Sequence, residues 1–361
     1  MTNVEIKYAF PLFTKHNSTD YLIKHDQIRV SDIWSFWQYL IERYVKKYSG
    51  EKNFLQTLIE QAQYFYEAAE RAPLRSKPLL YYYSFLNFVK VVINVNSLSV
   101  FGSTKDYNHG VDAIGMSTGA TMKDLKIRIK SLIPQPIQPT NKVSVDYQFM
   151  LQMGDSFTET PLIISIDDLL KNCIGIHRTY CETSNCKETY YKVDHLELYK
   201  KGHVFYSKYH IPKCNTEIQT DLTRVGYNIT SEATDDGSTK YFWEESIILP
   251  SDKPKKLDYY ILSEKLRKKG IWYFTDGNRY KTYISKDPLH ISTESIIYNL
   301  MFFFGSITRY HPYLFDKMLT EKQMWLVGEF LKTQPKQFLH IVTSKTIESA
   351  VIKPDTMNIV F

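Results

Sequence analysis

The sequence predicts an α+β fold: helical N-terminal and C-terminal blocks packed together around or beside a mainly antiparallel β middle region. Two patterns predict it. Apolar residues recur at helical spacing from Ile33 to about Val95 and again from Thr293 onward. Between them the pattern changes to alternation, clearest in His195–Ile211 and Lys240–Leu249, with Asp-Gly turn signals. We divide the chain into residues 1–119 as the N-terminal helical block, 120–290 as the β-rich middle region, and 291–361 as a C-terminal helical block packing on the first.

The elements follow in order. Residues up to Val30 read as an irregular or short-strand entry. Ser31 then caps, with the acid Asp32 in the first turn, a helix whose stripe includes Ile33, Trp34, Trp37, Leu40, Ile41 and Tyr44. A second helix carries Phe54, Leu55, Leu58, Ile59, Ala62, Phe65, Tyr66 and Ala69 as an apolar stripe. Pro73 breaks it, and Pro78 suits the first turn of a third helix. That helix, from Leu79 to about Val95, is apolar nearly all round and belongs at the centre of the block. Asn96–Gly119 reads as a structured loop. Leu125, Ile127 and Ile129 alternate with Lys126, Arg128 and Lys130, which predicts a strand.

Pro134, Pro136 and Pro139 mark a turn region. Val143 to Tyr283 then reads as antiparallel sheet, including Val143–Leu151, with one helix capped by Ser165. Asp235-Asp236-Gly237 and Asp276-Gly277-Asn278 are hairpin signals. The last block holds a helix from Thr293 to the region of Pro312. A helix capped by Thr320 and Gln323 runs to about Lys332, and another opens at Pro335.

Composition narrows the function classes. The net charge of +6 is spread along the chain, so it permits an anionic partner without demanding one. Its densest runs, Lys253–Lys256 and Lys265–Lys269, read as a solvated loop and helix face. No apolar run is long enough to span a bilayer, and the first residues lack a secretion pattern, so the expectation is a soluble cytoplasmic protein. The four cysteines, Cys173, Cys181, Cys186 and Cys214, are then expected as free thiols, since only one loose pair is spaced toward metal binding. We expect no metal and no cofactor.

Two segments carry polar groups where burial would penalise them. On the third helix, Ser84, Asn87 and Lys90 recur three apart among Phe85, Leu86, Phe88 and Val89. At the end of the Thr293 helix stands Arg309-Tyr310-His311. A guanidinium there either caps helix carbonyls or clamps a carboxylate or phosphate. His109, beside Gly110 in the loop after the third helix, joins them if it meets Lys90 or Arg309 in space. The ligand-binding candidates are therefore Ser84, Asn87, Lys90, His109 and Arg309, and the catalytic candidates are His109 and His311.

The stretches PLLYYYSFLNFVK, then His109-Gly110, then MFFFGSITRYHPY together resemble the YaaC-like family of bacterial proteins. The resemblance implies no established activity. It carries over Ser84, Asn87, Lys90, His109, Gly110 and Arg309. Two departures stand out: GVDAIGM replaces a leucine-serine continuation, and His311 stands where the family often has arginine.

Common catalytic signatures are absent: no GxxxxGK[ST], GxGxxG after a strand, GxSxG or HExxH. The Arg-to-His spacing of HEPN ribonucleases is not met, since only Tyr310 separates Arg309 from His311. Glu197 has lysine at the third and fourth following positions, not the second as a restriction-type cluster needs. The leading expectation is a ligand-binding or regulatory protein, an effector in bacterial stress or phage defence, recognising a nucleotide or nucleic acid. The alternatives are a divergent HEPN-like metal-independent ribonuclease and a structural, oligomeric assembly subunit with a protein partner or copies of itself.

Overall fold

The structure is a computed structural model. It describes residues 28–44, 49–96, 107–117, 120–130, 143–156, 161–250, 256–274, 280–319, 321–347 and 351–352. The signals at Pro134–Pro139 and Asp276-Gly277-Asn278, residues 253–255 of the first basic run, and Thr320 lie outside them.

In chain order the first elements are β1 (Ile28–Arg29), α1 (Ile33–Tyr44), α2 (Ser49–Arg71), α3 (Lys77–Asn96), β2 (Tyr107–Asn108), β3 (Val111–Ile114) and β4 (Lys126–Ile129). Next come β5 (Val143–Ser144), α4 (Val145–Gln152), β6 (Leu162–Ser165), α5 (Ile166–Asn172), a 3₁₀ turn (Ile174–Ile176) and α6 (His177–Ser184). They are followed by β7 (Tyr190–Lys201), β8 (Val204–His210), α7 (Thr216–Arg224), β9 (Ile229–Ala233), β10 (Thr239–Ile248), α8 (Lys256–Lys269), β11 (Ile271–Phe274) and β12 (Tyr280–Ser285). The chain closes with α9 (Thr293–Tyr310), α10 (Pro312–Met318), α11 (Glu321–Ile347) and β13 (Val351–Ile352). The class is α+β, with helices toward both ends and mainly antiparallel sheet.

The chain forms two compact units. One, residues 32–186 with 291–342, is mainly helical. Its α3 is buried on nearly every side: Phe85, Phe88, Val89, Val91, Val92 and Ile93 are fully enclosed. Aromatic packing explains the tyrosine and phenylalanine content. Phe85 stacks on Phe338 at 4.1 Å, Phe88 meets Trp37 edge-on at 5.1 Å, and Phe149 lies 5.1 Å from Tyr298. Gly305 lets α9 come up against α3, because a Cβ there would sit 2.9 Å from the Tyr82 Cβ. Strands β3, β4 and β6 form a small antiparallel sheet, with Leu125, Ile127 and Ile129 buried as their alternation predicts.

The other unit comprises residues 1–31, 187–290 and 343–361. It is built on a six-stranded sheet in the order β11-β12-β7-β8-β10-β9, antiparallel at every pairing, with a bulge between His195 and Glu197. Trp243 sits at its core, stacked on Tyr209 at 4.9 Å and met edge-on by Tyr227, with Leu222, Leu262 and Leu266 packed in the same cluster.

Several local expectations are corrected. Asp32, not Ser31, caps α1, accepting from Trp34 N and Ser35 Oγ. The span Val143–Leu151, expected as strand, is mostly α4. Ser144 Oγ accepts from Tyr147 N, and Val145, Asp146, Phe149 and Met150 are all buried, which is helical spacing hidden under a chance alternation. The middle region carries α6, α7 and α8 besides the expected α5. Asn215 caps α7 at Ile218 N, a signal of the same kind as Ser165 at α5. Pro335 does not open a helix: it lies inside the continuous α11. An interior proline costs about 3 kcal/mol, and burial of Leu331, Phe338, Leu339 and Val342 on the same helix offsets it. The run Lys265–Lys269 is more than a solvated face, since Lys265 and Lys269 fold onto the buried Glu245.

Candidate functional site

Three consecutive tyrosines open α3, and helical rotation sends each to a different partner. Tyr81 Oη donates to Glu70, Tyr82 Oη lies 2.5 Å from His109 Nδ1, and Tyr83 Oη accepts from Arg309 Nη1 at 2.6 Å. The last two draw the loop after α3 and the end of α9 to one side of the same helix.

His109 is held by its backbone. Asp146 N donates to His109 O at 3.1 Å, and Lys130 N donates to Gly110 O at 2.7 Å. Gly110 has φ +77°, and a Cβ on it would lie 1.6 Å from Ser144 Oγ, so both its conformation and its surroundings require glycine. The imidazole stands at the surface of its unit. Partial burial, then the Lys90 ammonium, then the Arg309 guanidinium hold its pKa below the ordinary value. The ring is therefore neutral at pH 7, with one nitrogen as donor and the other as acceptor. Whichever role Nδ1 plays against Tyr82, Nε2 plays the other.

Lys90 is buried, and loss of hydration pushes its pKa down to about 8. It remains mostly charged at neutral pH yet is within easy reach of proton exchange. Arg309 is exposed, with its guanidinium 4.9 Å from the Tyr310 ring centroid. Lys90 and Arg309, far apart in sequence, thus both come within electrostatic range of His109.

Ser84 and Asn87 turn to α2 instead. Ser84 Oγ donates to Ala62 O at 2.7 Å, and Asn87 Nδ2 donates to Gln61 Oε1 at 3.3 Å, so these two bonds tie α3 to α2. His311 is exposed at the junction of α9 and α10, its N donating to Ile307 O and its O accepting from Phe315 N.

Beneath the His109 loop lies a carboxyl cluster that the sequence reading missed. Asp146, in the first turn of α4, is fully buried. Burial first, and then the charge of Asp155, push its pKa up to about 8. The Asn299 side chain beside it partly opposes that rise, although no described donor meets full hydrogen-bond geometry at either oxygen. Its neighbour Asn299 gives its amide nitrogen to Ser295 O at 2.9 Å, while Asn299 Oδ1 has no described donor. A proton on Asp146 supplies the donor such a pair of acceptors needs. Asp155 is better served: Ser292 N, Ser292 Oγ and Ser295 Oγ donate to it at 2.7, 3.0 and 2.5 Å, which fastens the start of α9. Burial still lifts it to about 6. The signal that could have found Asp146 is Ser144 followed by an acid two residues on, the same helix-start pattern read correctly at Ser165.

Among the described residues no group of three or more His, Cys, Asp or Glu is arranged to hold a metal ion, and no helix is long and apolar enough to cross a membrane. No curated protein and no solved structure matches the chain. A family model described as YaaC-like Protein matches residues 18–346, a span that takes in α3, the His109 loop and α9. By that match over most of its length, the chain belongs to the YaaC-like family.

Proposed function

We propose that this protein binds an anionic ligand carrying phosphate, a nucleotide or a nucleic acid, on the face marked by Lys90, His109 and Arg309, and acts as a binding or regulatory protein. One observation carries the reading: the electrostatic neighbours that depress His109 are cations from two separate helices, α3 and α9. The positive potential that the two cations create at His109 favours an anion bound beside that ring. The fork of Arg309 suits phosphate oxygens, and the Tyr83 hydroxyl holds it in place. The mild positive charge of the chain favours approach of such a ligand.

Calorimetric titration with inorganic phosphate, nucleoside mono-, di- and triphosphates and a short RNA tests the reading. The expected result is salt-sensitive binding of at least one of them, weakened about tenfold or more in Arg309→Ala, the loss of one charge-assisted contact. Absence of binding by the parent protein at millimolar concentrations of all of them would overturn it.

A second reading, a metal-independent ribonuclease, is favoured by the neutral imidazole of His109, which is competent as a base near pH 7. RNA cleavage by the parent that His109→Ala abolishes would establish it. Equal cleavage by the two would remove its support.

A further inference from the structure

α6 ends in a way that brings two cysteines together. Asn185 adopts the left-handed conformation at φ 53°, and Cys186 N donates to Cys181 O at 3.0 Å. This six-to-one bond defines a Schellman ending, in which the residue after the left-handed one lies against the residue five positions before it. Here those residues are Cys186 and Cys181. Cys186 is exposed, whereas Cys181 is buried.

Cys181 has a base beside it. Its Sγ lies 3.5 Å from His177 Nε2, one helical turn earlier on the same face of α6. His177 Nδ1 lies 2.6 Å from Lys171 O, a carbonyl that can only accept, so Nδ1 carries the hydrogen. A neutral His177 therefore presents an unprotonated Nε2 to the thiol. This is the arrangement that activates a thiol as a nucleophile: base in reach, tautomer set by a second partner.

We propose that Cys181 and Cys186 form a peroxide-reactive dithiol, with Cys186 meeting the oxidant and His177 assisting Cys181 to close the disulfide. The Cys186 thiolate attacks one oxygen of hydrogen peroxide. The O–O bond breaks, the departing hydroxide takes up a proton to become water, and Cys186 becomes a sulfenic acid. Cys181 then gives its proton to His177 Nε2 and its sulfur attacks the Cys186 sulfur. Hydroxide leaves and recovers the proton from His177 as water. Two thiols are oxidised by two electrons, one peroxide is reduced to two waters, and a thiol reductant restores the pair. The other two cysteines lack this arrangement: burial raises the pKa of the Cys173 thiol, which contacts Gln334 Oε1, and the Cys214 thiol is pushed up to about 11 by burial.

The reduced, intact protein is treated with stoichiometric hydrogen peroxide, and thiols are counted and peptides mapped by mass spectrometry without reduction. The expected result is a Cys181–Cys186 cross-link within one chain and a fall from four thiols to two. In Cys181→Ser, a sulfenic acid at Cys186 should accumulate and be trapped by a dimedone probe. In His177→Gln, closure should slow about tenfold at pH 7, where an unassisted thiol is only a few per cent thiolate, and match the parent above about pH 9. Over-oxidation of Cys186 with Cys181 untouched in the parent would overturn the pairing. Equal closure rates for parent and His177→Gln at every pH would remove the role of His177. Because Cys186 is exposed, Cys186→Ser should keep the fold and lose the cross-link, which holds the test open even if the His177 variant does not fold.

Discussion

Glu245 and Asp146 are both carboxyls withdrawn from water, and the two units treat them in opposite ways. In the sheet unit, Glu245 Oε1 accepts from Trp243 Nε1 at 3.1 Å and from Lys269 Nζ at 2.7 Å, and Lys265 lies 3.2 Å from Oε2. Its charge is matched by cations anchored on α8. In the helical unit, the charged neighbour that bears on Asp146 is another acid, Asp155, which adds to the effect of burial. Burial there is accommodated by keeping the proton. The first arrangement lets a fold carry a charge at neutral pH; the second makes the fold sensitive to pH.

The contrast can be broken at its strongest point by titrating stability. Folded Asp146 holds a proton up to about pH 8, whereas the unfolded side chain releases it near 3.8. The folded state thus binds more protons across that window, and stability falls as pH rises through it, levelling off above about pH 8. Asp155 adds a smaller fall in the same direction up to about pH 6. The expected loss is on the order of 3–5 kcal/mol between pH 4 and pH 8, read by urea unfolding with hydrogen exchange followed in α4 and α9. Asp146→Asn should flatten most of the slope; an unchanged slope would mean that Asp146 is not the group that titrates.

In the sheet unit the expected effect is somewhat smaller. Glu245→Ala leaves the Trp243 N–H without its acceptor and removes the counter-charge of two ammonium groups, which keep Ser246 O and Gly226 O as acceptors. The lysines are partly exposed, so solvent recovers part of the loss, and destabilisation of about 2–3 kcal/mol is expected. Loss of exchange protection in β10 and α8 with α3 unaffected would place it correctly, and a change below 0.5 kcal/mol would mean that the clamp contributes little.

Next is a pair of glycines. Gly237 also has positive φ, at +80°, but nothing stands near its missing Cβ, so Gly237→Ala should cost only about 1 kcal/mol. Gly110→Ala must also displace Ser144, and about 2 kcal/mol or more is expected, with loss of the His109–Tyr82 contact visible in the histidine NMR resonances. Equal costs at the two positions would show that backbone conformation alone matters.

The subtlest effect belongs to His109 itself. Lys90→Met should raise its pKa more than Arg309→Met does, in the order of their influence, as NMR titration of the imidazole would record. No rise in either variant would dissolve the proposed cationic face.

Much of the helical architecture was legible because stripes such as Leu55, Leu58, Ile59 and Ala62 advertise a single buried face. α4 was not: with Val145, Asp146, Phe149 and Met150 all buried, it shows little polar contrast from which to read a period. Pro335 misled for a different reason, since its local penalty is visible in sequence while the packing that outweighs it is not. Among the candidates, Lys90 and Arg309 were identifiable as charged groups on or just after apolar helices, and His109 only as a lone histidine in the following loop. Tyr82 and Tyr83 were not distinguishable from Tyr81, because three identical neighbours are told apart only by where a rotation of 100° per residue points them.

The chain's own chemistry determined the α+β class, the central place of the Leu79–Val95 segment and the residues able to carry charge, because periodicity and side-chain type are local properties. The tertiary fold alone decided which of those residues meet: that Ser84 and Asn87 tie α3 to α2, that Lys90 and Arg309 bear on His109, and that Asp146 keeps its proton. Hydration and electrostatic interaction depend on distance through space, and only the packed chain sets those distances.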